Sequence, residues 1–265
     1  MKRLIKKRLR KLFLLLSKAF APQIYQQMED LQNRLSRTEA TAPPLIDRAA
    51  RFVACEMVEG DYLEFGVYRG NSFCKAYHAI AKAFQLRIAQ QEGGASREQQ
   101  QRRQDLWLNM RFFAFDSFEG LPALAGPDTQ TSDFKEGQYA ASRAEFERNL
   151  KVAGVDVAKV RIVPGWFDKT CNRQTWEEHT LRKAAIVWVD GDLYSSAKAV
   201  LAGITELIQD GTIVIFDDWF AFRGNPGLGE QRAFGEWLTT LSDFEAVPFH
   251  REGTWRNSFI MSRKI

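Results

Sequence analysis

The sequence predicts an α/β fold in which helices cover both faces of a mostly parallel sheet. Three observations carry this. Short apolar runs alternate with helical stretches along most of the chain, as expected of a sheet fed by βαβ crossovers. Several runs are apolar at consecutive positions, which suits strands buried on both faces. Four of them end on Gly or Asp, residues that turn a chain or cap the next helix.

Taken in order, the runs 62–65, 112–115, 160–163, 185–189 and 212–216 are predicted strands of this sheet. Two late runs, 244–249 and 258–262, can add strands, one of them antiparallel at the end of the chain. Residues 90–105 (QQEGGASREQQQRRQD) are polar and of low complexity, and are expected to form a solvated excursion between a helix and a strand. Pro43 and Pro44 mark a break. The expected organisation is therefore an extension over 1–42 and a principal domain over 43–265.

The chain has 265 residues, enough for one large α/β domain, and its 45% hydrophobic and 26% charged residues argue against disorder. The net charge of +4 is uneven. Eight Lys and Arg and no acid fall in the first twenty residues, so the remainder carries −4. The folded domain thus offers no basic groove, and nucleic acid is not an expected partner. Within 1–20, Leu4, Ile5, Leu9, Leu12, Phe13 and Leu16 share one helical side and the basic residues the other. The pattern is too short to span a bilayer and suits either an anionic membrane surface or packing on protein, a second subunit included. Ile24, Met28, Leu31 and Leu35 add a short heptad-like stripe. Cys55, Cys74 and Cys171 are odd in number and widely spaced, which fits a cytoplasmic setting, with peripheral attachment to the inner membrane face as the tail's alternative. His78, His179 and His250 show no zinc spacing and take packing or surface roles.

Chemistry concentrates at the strand ends. After 62–65, Gly66 and Gly70 lead into a helix whose first N–H groups are unpaired, with Tyr68 and Ser72 beside them, a place where backbone can approach a ligand. Asp116 closes the next strand, where a Rossmann-like domain holds ribose hydroxyls, and Ser117 begins the turn that follows. The strands 185–189 and 212–216 run into Asp190-Gly191-Asp192 and Asp217-Asp218. In a parallel sheet these ends open on one edge. Converging carboxylates repel and call for a cation, and hard oxygen ligands suit Mg²⁺, or Mn²⁺ in its place. Capping of the following helices is the structural alternative for these acids.

Together, LEFGVYRGNS, FAFDSFEGLP, VPGWFDKT, VWVDGDLYSS, IFDDW and, more loosely, GEQRAFGEW give the chain a resemblance to the macrocin O-methyltransferase family, bacterial enzymes that methylate sugar hydroxyls. The pieces cover most of residues 46–240; residues 1–42 and 90–105 lie outside the resemblance. It implies a Rossmann-like class I methyltransferase fold. It also implies S-adenosylmethionine held on the Glu64, Gly66, Tyr68, Gly70, Ser72, Asp116 and Ser117 side, with Trp166 and Phe167 near the adenine. Asp190, Asp217 and Asp218 match the metal positions, and Asp190 or Asp192 is the candidate base. The acceptor would be a saccharide or glycosylated small molecule, lipid-linked or on the cell surface if the tail meets a membrane, and loops 120–140 and 219–230 are its candidate contacts. A homo-oligomer is compatible with this reading.

Two other classes stay open. The Asp-Gly-Asp step has the form that glycosyltransferases use to hold a metal and a nucleotide sugar, and a membrane-associated protein could keep this fold without turnover. A dehydrogenase is third, weakened by the missing third glycine of a dinucleotide loop.

Overall fold

The structure is a computed structural model and describes residues 43–89, 96–130 and 134–265. The amphipathic tail over 1–20 and the heptad-like stripe over 24–35 lie outside the described residues, as does the start of the polar segment, 90–95. The elements in chain order are α1 (Leu45–Glu56), β1 (Asp61–Phe65), α2 (Asn71–Ala89), α3 (Arg97–Asn109), β2 (Phe112–Asp116) and α4 (Arg143–Ala153). After them come β3 (Val160–Pro164), α5 (Phe167–Thr170), α6 (Arg173–Glu178), β4 (Ala184–Val189) and α7 (Tyr194–Ile204). The chain closes with β5 (Ile213–Phe216), α8 (Gly229–Leu238), β6 (Phe244–Glu252) and β7 (Arg256–Arg263).

All seven expected strands form one sheet of order β3-β2-β1-β4-β5-β7-β6. The first five are parallel, while β7 pairs antiparallel with both β5 and β6. The runs on β2, β4 and β5 read as continuously apolar because successive side chains enter different cores. Tyr62, Phe112, Ile186 and Ile213 pack under α1, α2 and α4. Leu63, Phe65, Phe113, Val187 and Phe216 pack with Trp176 of α6 and with α7 and α8 on the other side.

The polar segment is solvated as expected from residue 96 on, but it is ordered: Arg97–Asn109 is helix α3, with no buried residue. Ser96 accepts a hydrogen bond from the Gln99 N–H at 3.2 Å while the Gln99 side chain accepts from the Ser96 N–H, a reciprocal cap that needs no tertiary partner. Gln101 bonds Asp105 one turn on, and Arg103 donates to the Ala54 carbonyl at the end of α1. Only at its last turn do Leu106 and Trp107 reach the core. With so little apolar periodicity, the helix carries almost no hydrophobic signature.

The chain order places a switch point between β1 and β4, because β1 continues to β2 and β3 on one side and β4 opens the other. Ligand crevices of open α/β sheets form there, beyond the carboxyl ends of the strands. Registers Phe65↔Phe115, Phe65↔Val189 and Val189↔Phe216 bring Gly66, Asp116, Asp190 and Asp217 to the same edge.

Candidate active site

A cleft of about 700 Å³ opens at this edge. Its volume falls within the range of small-ligand pockets. Each parallel strand contributes the residues that follow it. Gly66 is the tightest point of the floor: its φ is +94°, and a Cβ there would lie 1.8 Å from the Asp190 carbonyl oxygen. Glycine thus lets β1 and β4 stay paired up to the edge, with the Asp190 N–H bonded to the Phe65 carbonyl at 2.8 Å.

Asp116 lines the cleft and also ties two loops together. One carboxyl oxygen accepts the Val67 and Tyr68 N–H groups at 2.8 and 2.9 Å, and the other accepts Phe118 N–H at 2.7 Å. Ser117, Tyr68, Trp166 and Phe167 line the same cleft. Phe167 sets an edge against Phe65, and a Cβ at Gly191 would lie 2.9 Å from the Ser196 Cβ and 3.2 Å from the Phe167 ring.

Glu64, Gly70 and Ser72 stand differently, for they do not line the cleft. Glu64 is wholly buried behind the Gly66 turn, where Ser72 donates to one oxygen at 2.6 Å and Tyr62 to the other. Burial raises its pKa to about 8. Gly70 has φ +83°, and the Phe146 ring of α4 sits 2.8 Å from where a Cβ would go, so both backbone and space favour glycine there. Their place is the packing that aims the turn.

On the other side of the switch point, Asp190, Asp192 and Asp218 each bring one carboxylate oxygen to within 4.8 Å of the others. Asp192 takes a left-handed backbone, φ +59°, which an ordinary residue adopts only at a cost. Burial above all holds the three carboxyls above the usual carboxylate range, and repulsion adds to it, from Asp217 first at Asp190 and Asp218 and from Asp218 first at Asp192; Asp192 stands at about 8 and Asp218 at about 6. Asp217 borders the cleft but its carboxylate faces elsewhere: Oδ1 accepts from Arg256 Nε at 2.6 Å and from Trp188 Nε1 at 3.2 Å.

Three further residues shape the site that the sequence does not single out as site residues. Glu230, on α8, is fully buried; its Oε2 accepts the Asp218 N–H at 3.0 Å and its Oε1 has no partner among the described residues. Asp128 reaches from the loop after β2 to accept the Tyr194 and Ser195 N–H groups at 2.7 and 3.1 Å, capping α7, which lacks a side-chain cap of its own. Arg256 comes from the hairpin. Glu230 lay inside the GEQRAFGEW resemblance, but no spacing rule foretells any of these long-range contacts. No histidine lines the cleft.

The donor set fits a hard divalent cation. Three carboxylates in mutual reach, Asp192 buried and Asp190 and Asp218 partly so, with an unpartnered buried oxygen on Glu230 beside them, are costly unless neutralised. The remaining cleft fits an elongated, partly polar cofactor: aromatic and apolar walls at Trp166, Phe167, Leu121 and Pro122, with Asp116 as a polar contact.

Residues 95–228 match the family model described as macrocin-O-methyltransferase (TylF). The chain is 28% identical over 209 residues to mycinamicin III 3''-O-methyltransferase of Micromonospora griseorubida, covering 76% of this chain and 70% of that protein. It is 27% identical over 173 residues to a tetracenomycin-C rhamnosyl 4'-O-methyltransferase of Streptomyces olivaceus, covering 63% of this chain and 56% of the relative. It is 28% identical over 168 residues to demethyldecarbamoylnovobiocin O-methyltransferase of Streptomyces niveus, covering 61% and 53%. The chain thus matches just over half the length of two of these relatives. Among solved structures, the O-methyltransferase NovP superposes with a TM-score of 0.60 at 23% identity over 82% of this chain and 78% of its own. The calicheamicin methyltransferase CalS11 gives 0.55 at 22% over 96% and 90%. Sheet order and these likenesses make the fold a Rossmann-like class I methyltransferase fold. On the family match, the chain belongs to the macrocin-O-methyltransferase (TylF) family.

Proposed function

We propose that the protein is an S-adenosylmethionine-dependent, Mg²⁺-assisted O-methyltransferase acting on a hydroxyl of a sugar or glycosylated small molecule, with Mn²⁺ able to replace Mg²⁺. The observation that carries this reading is the carboxylate cluster of Asp190, Asp192 and Asp218 beside the Gly66 turn, at the switch point of the sheet. Family membership and the printed activities of its relatives, all sugar or antibiotic O-methyltransferases, support the acceptor class.

When bound, S-adenosylmethionine supplies an electrophilic methyl group, and the cation lowers the pKa of an acceptor hydroxyl. Gly66, Tyr68, Asp116, Ser117, Trp166 and Phe167 are the residues we assign to cofactor contact, with Glu64, Gly70 and Ser72 holding the turn from behind. Asp190 and Asp218 would hold the cation, and Asp217 is available to join them if its bond to Arg256 yields. Asp192, on a strained backbone at the cleft wall, is positioned to take the hydroxyl proton on a carboxylate oxygen. Tyr139 and Tyr68, with rings 6.0 Å apart at the cleft, offer apolar surface to a sugar face.

The test combines calorimetric titration of S-adenosylmethionine and nucleotide sugars with a mass-spectrometric screen for one added CH₂ on sugar-bearing metabolites. Cofactor binding and a methylated product support the reading, and binding of nucleotide sugars alone removes it. A lipid-linked acceptor is the finer version of the proposal. It rests on the amphipathic pattern of residues 1–20 and is tested by liposome co-sedimentation with and without them. No described helix is long and apolar enough to cross a membrane.

A further inference from the structure

The acid cluster has a cationic neighbour of its own. Arg256 opens β7, the strand antiparallel to β5, and the register Phe216↔Asn257 sets it level with Asp217. Its guanidinium is held on three sides. Nε donates to Asp217 Oδ1 at 2.6 Å, with a second nitrogen 3.5 Å from Oδ2. NH1 donates to Glu252 at 3.0 Å, and the group lies 5.4 Å from the centre of the Trp188 ring. Trp188 in turn donates its indole N–H to the same Asp217 oxygen. Glu252 is itself anchored, accepting the Leu45 N–H at 2.9 Å. Asp217 is consequently the strand-end aspartate whose oxygens stay outside the mutual reach of Asp190, Asp192 and Asp218.

Two consequences follow for a divalent ion at the cluster. A guanidinium bonded to Asp217 ties up an anionic oxygen that the ion would otherwise draw on. It also places a positive charge beside the ion in a partly buried setting, where screening is weak. Both effects have the same sign. We propose that Arg256 is a positioning residue that competes with the divalent cation for Asp217 and so weakens the hold of the carboxylate cluster on that ion. The inference rests on the metal-assisted reading above and adds to it a residue that sets affinity.

Calorimetric titration of Mn²⁺ into the full chain without cofactor tests this, on the wild type, Arg256→Met, Arg256→Gln, Asp217→Asn and the Asp217→Asn/Arg256→Met pair. Met keeps the aliphatic stem and removes the charge; Gln retains an amide donor for Asp217 and serves if the Met variant does not fold. The expected result is Mn²⁺ binding about tenfold tighter in the Arg256 variants, in the lower part of the usual range for coupled sites. In the Asp217→Asn background the Arg256→Met gain should shrink, because the contested ligand is gone. Unchanged or weaker binding in both Arg256 variants overturns the inference, since Arg256 would then be neutral toward Asp217 or needed to present it. Absence of Mn²⁺ binding by the wild type removes the metal reading itself and this inference with it.

Discussion

Glu64 offers the sharpest quantitative test of the site's electrostatics, because its carboxyl is sealed behind the cleft and its partners are known. Burial is the main cause of its raised pKa, about 8 against an ordinary 4.5; the hydrogen bonds from Ser72 and Tyr62 pull the other way. Between those two values the unfolded chain has released the proton while the folded chain keeps it, so stability falls as pH rises and stops falling only above about 8. For one such group the loss from about pH 6 to pH 8 is about 2 kcal/mol, a sizeable part of a domain's usual stability of about 5–15 kcal/mol. Glu64→Gln removes the titration and keeps a hydrogen-bonding head for Ser72 and Tyr62. Urea unfolding followed by tryptophan fluorescence in chelator, at both pH values, should show the wild type losing about 2 kcal/mol more than the variant. The comparison cancels the contribution of the other acids, which both proteins share. Parallel stability profiles across that range would refute the argument that burial holds this carboxyl protonated.

Other positions make equally direct predictions. Gly66→Ala drives a Cβ into the Asp190 carbonyl at a backbone angle alanine resists, and should cost about 3 kcal/mol or more, seen as a large drop in the urea midpoint; a shift within about 0.5 kcal/mol would contradict the close approach of β1 and β4. Asp128→Ala removes the borrowed cap of α7 and should cost about 1–2 kcal/mol, with faster amide exchange at Tyr194 and Ser195, whose N–H groups it holds. Unchanged exchange at those amides would show that the loop does not cap the helix. Glu230→Gln keeps an acceptor for the Asp218 N–H and removes a carboxyl that burial pushes far up. In chelator at about pH 8 it should raise the urea midpoint, because the unfolded chain alone gains by releasing the proton of this buried carboxyl, and a lower midpoint would refute that cost.

The sheet was legible because burial on both faces leaves a plain trace. β1, β2, β4 and β5 are short, largely apolar and stopped by Gly or Asp, so the strands and their common edge are legible from sequence, while their order in the sheet is not. Helix α3 was not, since its stability is local: a capping box and polar spacing carry it, and its apolar contact is confined to Leu106 and Trp107. At the site, the strand-end acids were visible as a set, but adjacent residues leave a strand in different directions. Sequence position could not tell that Asp192 and Asp218 would reach Asp190 while Asp217 would turn to Arg256. Likewise Glu64, Gly70 and Ser72 carry the resemblance as strongly as Gly66 does, although their side of the turn faces the core.

That division has a physical logic. A carboxylate cluster without a cation is repulsive, so the fold must hold it together by contacts that do not depend on the ion. Here the backbone supplies them: Asp190 is fixed by its N–H to Phe65, Asp217 by its N–H to Val189, and Asp218 by its N–H to buried Glu230. The side chains therefore meet because β4 and β5 end at one level, and burial, with the charge of the neighbouring acids, raises the pKa values of Asp190, Asp192 and Asp218. Arg256 offsets part of the repulsion at Asp217 from the one neighbouring strand that runs the other way. An antiparallel β7 can deliver its first residue to the carboxyl edge of β5, which a parallel strand could do only with its last. The reversal at the end of the sheet thus places a permanent positive charge beside the proposed cation site.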